Sequence, residues 1–404
     1  MATIPSLALI PSGYKASKVY SVLPTDGIGD FDFTRSGNAT RVNSEGLIEL
    51  VSTNVPRLNY PLIDGVVSGC PSLLLEPSRQ NVVPYSEAFD NAAWDTQEIT
   101  ISQNVGISPD GTLNADKIIP SVVSTTHQIY DLSLISSQVC ATSVFAKADG
   151  INTFEILDGA SAINGAAFDL SNGTFTNKGS GIGSMEYYGN GWYRCISVAI
   201  TTGFRIYCPS SSATSLGDGT SGVLLWGAML EAGSYPTSYI PTLGTTATRS
   251  AETCNNAGDV NTFNDSEGTF FVECSALADD ITNRRITISD GTAFNRIYLS
   301  YKNFSNQLRV EVISADSSVF DFTYTVADIT QTIKMAIAYK LNDFSFYVNG
   351  VQVAVDTNGV VPIGLNVLDF NNGAGSSDFY GNVKDLQVFT TALTDAELAA
   401  LTTI

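Results

Sequence analysis

Runs of about four to eight β-branched and aromatic residues recur along most of this chain, parted by clusters of Gly, Asn, Asp and Ser. EITISQNV, ATSVFAKA, TFEIL, GTFFVECSA, RRITISD, LRVEVISA, TIKMAIAYK, FSFYVNGVQVAV and KDLQVFT are examples. Such runs are too short and too β-branched for helices, and their regular spacing by turn residues is the pattern of sandwiches and barrels. Within FSFYVNGVQVAV, Asn349-Gly350 lies between two alternating segments, a strong tight-hairpin signal. One helix is expected, at the end, where Thr394 caps ELAALTTI and Glu397 follows three residues later. At 404 residues the chain exceeds what one core ordinarily organises, so two or three domains are expected.

The opening 80 residues read differently. Eight of the fourteen prolines lie by position 84, breaks such as PTDGIGDF are frequent, and apolar residues are scattered. Such a segment does not build its own core and is expected to lie extended over a neighbouring domain or a partner subunit. Residues 81–242 and 263–404 each read as a β-sandwich, and 243–262, small and polar, as a linker. The stretch VLLWGAMLEAGSYPTSYIPT at 223–242 begins as a core strand around Trp226. Pro236 and Pro241 then hold the outgoing chain extended, with Tyr235, Tyr239 and Ile240 against the sandwich wall. The expected fold is all-β: an N-terminal extended docking segment followed by two β-sandwich (jelly-roll) domains.

Net charge is −20, of which residues 1–80 carry only −1. An acidic surface repels phosphate backbones and anionic lipid, so neither nucleic acid nor membrane is an expected partner. No apolar run approaches the roughly 20 residues needed to span a bilayer, and MATIPSLALIPSGYK lacks the basic start of a signal peptide. The six cysteines, Cys70, Cys140, Cys195, Cys208, Cys254 and Cys274, show no C-x-x-C or zinc spacing and are expected to be mostly free thiols.

Catalytic patterns are missing. The one histidine, His127, has no G-x-S-x-G elbow anywhere in the chain to work with. Glu155 and Asp158 are three apart on one expected strand and so point to opposite faces, while Glu273 stands alone. GSGIGSM at 179–185 lacks the Lys and the following helix of a phosphate loop. Asp265, Asp290, Asp369 and Asp378 are loop carboxylates of the type calcium uses, but no D-x-D-x-D-G cassette holds them. The expectation is no catalytic residue, no cofactor and no metal.

Binding surfaces are easier to place. Sugar rings stack on aromatic faces with amides and carboxylates close by. MEYYGNGWYR and NRIYLSYKNF supply such residues near turns, which makes Tyr187, Trp192, Tyr298 and Tyr301 the candidate glycan-binding residues. Alternation sets Trp192 and Tyr193 on opposite faces, so at least one is core, and Tyr298 and Tyr301 also face opposite ways.

GTFFVECSA, FSFYVNGVQVAV and FYGNVKDLQVFTTALTDAELAAL resemble a laminin-G/concanavalin A-like lectin sandwich over roughly 263–404, with Val383-Lys384-Asp385 standing where family members commonly carry Asp-Asp. LIPSGYKASKVYSVLPTDGIGDFDFTRSGNATRVNSEGLIE, NVPRLNYP, GCPSLLLEPSRQNVVPYSEAF and WGAMLEAGSYPTSYIPT with its following TRSAE resemble fibre-type proteins of tailed bacteriophages. Residues 90–235 also resemble a carbohydrate-binding-module jelly roll. The resemblance implies a virion surface protein, a fibre or decoration component made in the host cytoplasm. It implies docking to other virion proteins through residues 1–80, homo-oligomers (most often trimers) and weak multivalent contact with host-surface glycans. A glycan depolymerase or esterase with a site assembled across loops is the alternative.

Overall fold

Alternating apolar and polar residues make each run a strand with one buried face, and the strands assemble into sandwiches. The structure, a computed structural model, describes residues 3–209 and 214–404. Among these the fold is all-β apart from one helix, Asp395–Thr402. Thr394 caps that helix and Glu397 closes the capping box, as the sequence predicts. The Asn349-Gly350 turn joins Asp343–Val348 to Val351–Asp356 with φ of 48° and 81°, the left-handed pair that a two-residue hairpin needs.

The middle of the chain forms two six-stranded antiparallel sheets. One runs Asp95–Gln97, Gln128–Asp131, Phe204–Tyr207, Thr153–Asp158, Gly165–Asp169, Thr174–Lys178. The other runs Ile99–Ile107, Leu113–Pro120, Gly222–Ala232, Gln138–Asp149, Trp192–Thr201, Ile182–Tyr187. Phe154, Phe168, Cys195, Ile206, Leu225 and Leu230 fill the space between them. Trp226 lies on the strand Gly222–Ala232, and Tyr235, Tyr239 and Ile240 are buried where the chain leaves it.

The second sandwich pairs a five-stranded sheet with an eight-stranded one. The smaller runs Ser317–Thr325, Gln307–Ser314, Arg296–Tyr301, Arg284–Ser289, Val367–Asp369. The larger contains Glu267–Ala276, Ile333–Lys340, the Asn349-Gly350 hairpin and Gly381–Phe389, but also three strands from the first 80 residues.

Of the two places expected for residues 1–80, over a neighbouring domain or over a partner subunit, the structure shows the first, and the segment is integrated there more deeply than an extended arm. Leu7–Leu9 pairs with Gly381–Phe389 at Leu7↔Val388 and Leu9↔Leu386. Ser72–Leu75 pairs with the same edge further along, at Leu73↔Val383 and Leu75↔Gly381, and Arg57–Asn59 adds beyond it. Leu7, Leu9, Val19, Phe31, Phe33, Leu73 and Leu75 are buried in one core with Phe270, Leu299 and Val388. The segment has no core of its own because its apolar residues complete another. Its strands, two to four residues long, show no periodicity from which that destination could be read.

Residues 243–262 are likewise more than a linker. Ala247–Arg249 pairs with Arg79–Asn81, and Thr253–Asn255 pairs with Phe31–Thr34. Arg249, Glu252, Cys254 and Ala257 are buried. The polar composition that suggests a solvated connection instead conceals two buried charges, each held in an ionic cluster with the first 80 residues.

Candidate functional site

Five buried ionic side chains gather where the first 80 residues, the middle sandwich and the stretch after it meet. Arg35 Nη1 donates to Glu252 Oε1 at 2.8 Å, and Arg57 Nε donates to the same oxygen at 2.8 Å. Arg57 also donates to Glu252 Oε2 through Nη2 and to Glu76 Oε2 through Nη1, the latter at 2.6 Å. Arg249 Nη1 stands 2.9 Å from Glu76 Oε2. Ser238, from the PTSYIPT exit, donates its backbone N–H to Glu76 at 2.8 Å and its hydroxyl at 2.6 Å. Burial pushes the Glu76 carboxyl up, but the charges of Arg249 and Arg57 and the two Ser238 hydrogen bonds outweigh it and hold its pKa at about 2.

Above this floor opens a cavity of about 310 Å³ lined by Thr40, Arg41, Asn59, Glu76, Glu186, Tyr188, Arg194, Ser238 and Asn382. It shares Asn59, Glu186 and Tyr188 with a neighbouring hollow of about 400 Å³ whose walls add Tyr60, Asp64 and Tyr187. The two form one polar groove with three tyrosines at one end. Two glycines set the distance between its walls. A Cβ on Gly65, in the turn between Leu62–Ile63 and Val66–Val67, would meet the Gly189 nitrogen at 2.3 Å, so any side chain there would prise the walls apart. Tyr188 packs edge-on against Phe145 at 4.9 Å, and Tyr187 lies 4.8 Å from Tyr193 with its hydroxyl accepting from Gly191 N at 3.2 Å. Arg194 donates to Thr237 O at 2.7 Å and to Ser143 Oγ at 3.2 Å.

Of the four aromatic candidates, only Tyr187 reaches solvent, at 37% exposed. Trp192 is 2% exposed, and its indole N–H donates to Ile107 O at 2.9 Å. Tyr298 and Tyr301 are each 1% exposed. Tyr301 lies in the core beside Phe379 and Cys274, whereas Tyr298 faces the other way beneath arginines. These three present no ring to a sugar, because a large aromatic on a strand gains more from packing than from exposure. Tyr60 and Tyr188 replace them. Tyr188 stands beside Tyr187 in MEYYGNGWYR, but sequence spacing could not have joined Tyr60 to it, since the two are more than a hundred positions apart.

The other singled-out groups sit apart from the groove. His127 is buried, with Nδ1 3.2 Å from Ser215 Oγ and, among the described residues, no partner for Nε2. Glu155 meets Lys178 at 2.9 Å, and Asp158 accepts the backbone N–H groups of Ala160, Ser161, Ile163 and Asn164. Glu273 lies 3.6 Å from Lys334. Asp265, Asp290 and Asp369 each accept backbone N–H groups, and Asp378 accepts from Tyr380 at 3.4 Å. Among the described residues no three His, Cys, Asp or Glu side chains gather as a metal site would require. The six cysteines are free thiols, five of them buried, and burial pushes the Cys208 and Cys274 thiols up to about 12. Chemically, the groove offers hydrogen-bonding groups and ring faces. Glu76, held as a carboxylate and fully bonded, is not the raised-pKa acid that glycosidic cleavage uses.

Residues 257–399 match the sequence profile of the concanavalin A-like lectin/glucanases superfamily of laminin-G type. This part of the chain is similar to laminin-G/concanavalin A-like lectin domains. Among solved structures, the chain is similar to the CBM40 of Ruminococcus gnavus IT-sialidase bound to α2,3-sialyllactose, with 17% identity and a TM-score of 0.31 over 36% of this chain and 91% of that one. It is also similar to domain 4 of AbnA, an extracellular GH43 arabinanase from Geobacillus stearothermophilus in complex with arabinotriose, at 13% identity and a TM-score of 0.31 over 38% and 73%. NanB sialidase from Streptococcus pneumoniae is a third, at 14% identity and a TM-score of 0.30 over 35% and 25%. No curated protein matches the chain.

Proposed function

We propose that the protein is a non-enzymatic, carbohydrate-binding structural component of a bacteriophage virion, a head or tail fibre or decoration protein. It is made in the host cytoplasm, displayed on the particle surface and assembled as a homo-oligomer, most readily a trimer. The observation that carries the binding half is the groove, where Tyr60, Tyr187 and Tyr188 stand beside Asn59, Asp64 and Glu186. Ring faces with flanking amide and carboxylate oxygens are the chemistry that holds a sugar. A lectin-like domain in the same chain supports the reading, as does the likeness of LIPSGYK, NVPRLNYP and WGAMLEAGSYPTSYIPT to phage fibre-type sequences. Docking to other virion proteins uses the outward residues of the first 80, such as Ile4, Ile63 and Val66, which are exposed. One such groove binds weakly, but many copies on one particle raise avidity by roughly 10²–10⁴.

The test is a glycan array probed with the full chain displayed multivalently on beads. Binding to a defined neutral glycan set that Y187A and Y60A together abolish is the expected result. Absence of binding at high display density overturns the adhesive half. Release of reducing ends from host surface polysaccharide overturns the non-enzymatic one in favour of a depolymerase.

A further inference from the structure

On the outward face of the five-stranded sheet, three arginines surround one tyrosine. The guanidinium carbons of Arg285, Arg296 and Arg309 lie 4.6, 5.4 and 5.9 Å from the centre of the Tyr298 ring. Register explains the grouping. Tyr298 is opposite Thr287 on one side and Glu311 on the other, while Arg285 and Arg309 are both opposite Ser300 and Arg296 lies two residues along from Tyr298. The Tyr298 hydroxyl donates to Glu311, which fixes the ring as a platform.

The charges on this face do not cancel pairwise. Arg309 takes both nearby acids, binding Asp321 through two hydrogen bonds of 2.7 Å and approaching Glu311 at 3.1 Å. Asp369, on the edge strand, accepts the Asn256 backbone N–H instead. Lys302 donates to Thr323. Among the described residues, Arg296 has one carbonyl partner, Asn372 O at 2.6 Å, and the Arg285 side chain has no hydrogen bond or ion pair. The Nε atoms of Arg285 and Arg296 are both shut from solvent without a partner. Burial, together with the charges of Arg285 and Arg309, presses the Arg296 guanidinium below its ordinary pKa. In a chain with twice as many acids as bases, carboxylates to quench these two arginines were available to the fold in abundance. Leaving them unquenched on one face is what a site for an exogenous anion looks like.

We propose that Arg285 and Arg296, seated on Tyr298, form a binding site for the carboxylate of an acidic sugar. The planar guanidinium fork matches a carboxylate with two parallel hydrogen bonds, and its face stacks on the ring below. Beside the site the 371–377 loop fixes the sheet's side chains, Thr287 Oγ1 donating to Asn371 O and Arg296 Nη1 to Asn372 O. The overall charge of −20 repels long polyanions, so the site selects a short acidic saccharide over nucleic acid or heparin-like polymers. This site shares no residue with the tyrosine groove, so it stands or falls independently of it.

The experiment is calorimetric titration of the full chain with trigalacturonate, galactotriose, a sulfated heparin tetrasaccharide and a single-stranded oligonucleotide. Trigalacturonate should bind and galactotriose should not. R285Q/R296Q should weaken trigalacturonate by about 10- to 100-fold, and R285K/R296K, which keeps charge but loses the fork, by an intermediate factor. The Gln variant removes mutually repelling charges, so its Tm should not fall; were it to misfold, the weakened binding of the Lys variant tests the same site. Equal binding of acidic and neutral trisaccharides, undiminished affinity in both variants, or binding confined to the sulfated or nucleic-acid polyanions overturns the proposal. Y60A/Y187A should leave trigalacturonate affinity unchanged, which separates this site from the groove.

Discussion

Glu252 illustrates what a buried charge does in this chain. Its two oxygens accept from Arg35, Arg57 and the backbone N–H of Glu76, and each of those donors is buried. E252A leaves the buried Arg35 without its acid and Arg57 with Glu76 alone. It should lower the stability of the protein by about 3–5 kcal/mol in urea unfolding, whereas K340A at the exposed Glu267 pair should change it by less than about 1 kcal/mol. Two carboxyls respond to pH with opposite sign. Glu76, held at about 2 against 4.5 when free, contributes stability that is complete above pH 4.5 and lost as pH falls toward 2. Asp385 goes the other way. Burial, with Gln387 opposing and Glu273 reinforcing, raises it from 3.8 to about 6, and its Oδ1 has no partner among the described residues. Its folded-state preference for the proton stabilises below pH 3.8 and is lost as pH rises through 6. D385N should therefore raise Tm at pH 7 and change it little at pH 3.5, as read by thermal melts across that range.

Strands tell a different story, because here the sequence was legible where periodicity was long enough to read. The hairpin at Asn349-Gly350, the capped helix at Thr394 and the core strand around Trp226 all carried local signals, and the structure contains them. Leu7–Leu9 and Ser72–Leu75 carried none, since three or four residues cannot show a period. Their role is nonetheless large. Together they cover the outer edge of Gly381–Phe389, the last strand that the lectin-like domain contributes to its larger sheet, and bury four leucines. An uncovered edge of that kind is a template for pairing with other chains. A fragment of residues 257–404 should consequently aggregate or dimerise on size-exclusion chromatography, and adding residues 1–80 in trans should restore a soluble complex. L73A in the full chain should destabilise it by about 2–5 kcal/mol. The candidate site was illegible for a related reason: Tyr60 and Tyr188 approach each other only because Gly65 rests on Gly189, a contact that no window of sequence contains.

At the scale of the molecule, the first 80 residues serve both sandwiches at once. Ile48 packs with Trp226, Leu224 and Tyr239 on the middle sandwich, while Leu7, Phe31 and Leu73 belong to the core of the lectin-like one. The ion cluster lies at the seam, joining residues 35, 57 and 76 to Ser238, Arg249 and Glu252. Chains of several domains usually unfold in steps, but neither sandwich here can open without stripping apolar residues or buried charges from the other. Differential scanning calorimetry of the full chain should give one transition whose calorimetric and van't Hoff enthalpies agree. E252A removes one of the seam's two carboxylates but leaves Glu76 joining Arg57, Arg249 and Ser238 and both apolar cores intact, so it should lower that single transition without splitting it. Two peaks in the unmodified protein would mean that the shared segment does not couple the cores. Coupled sandwiches would also suit the particle-borne adhesin proposed above, because fixed spacing between binding faces lets several weak contacts engage without each one losing freedom anew.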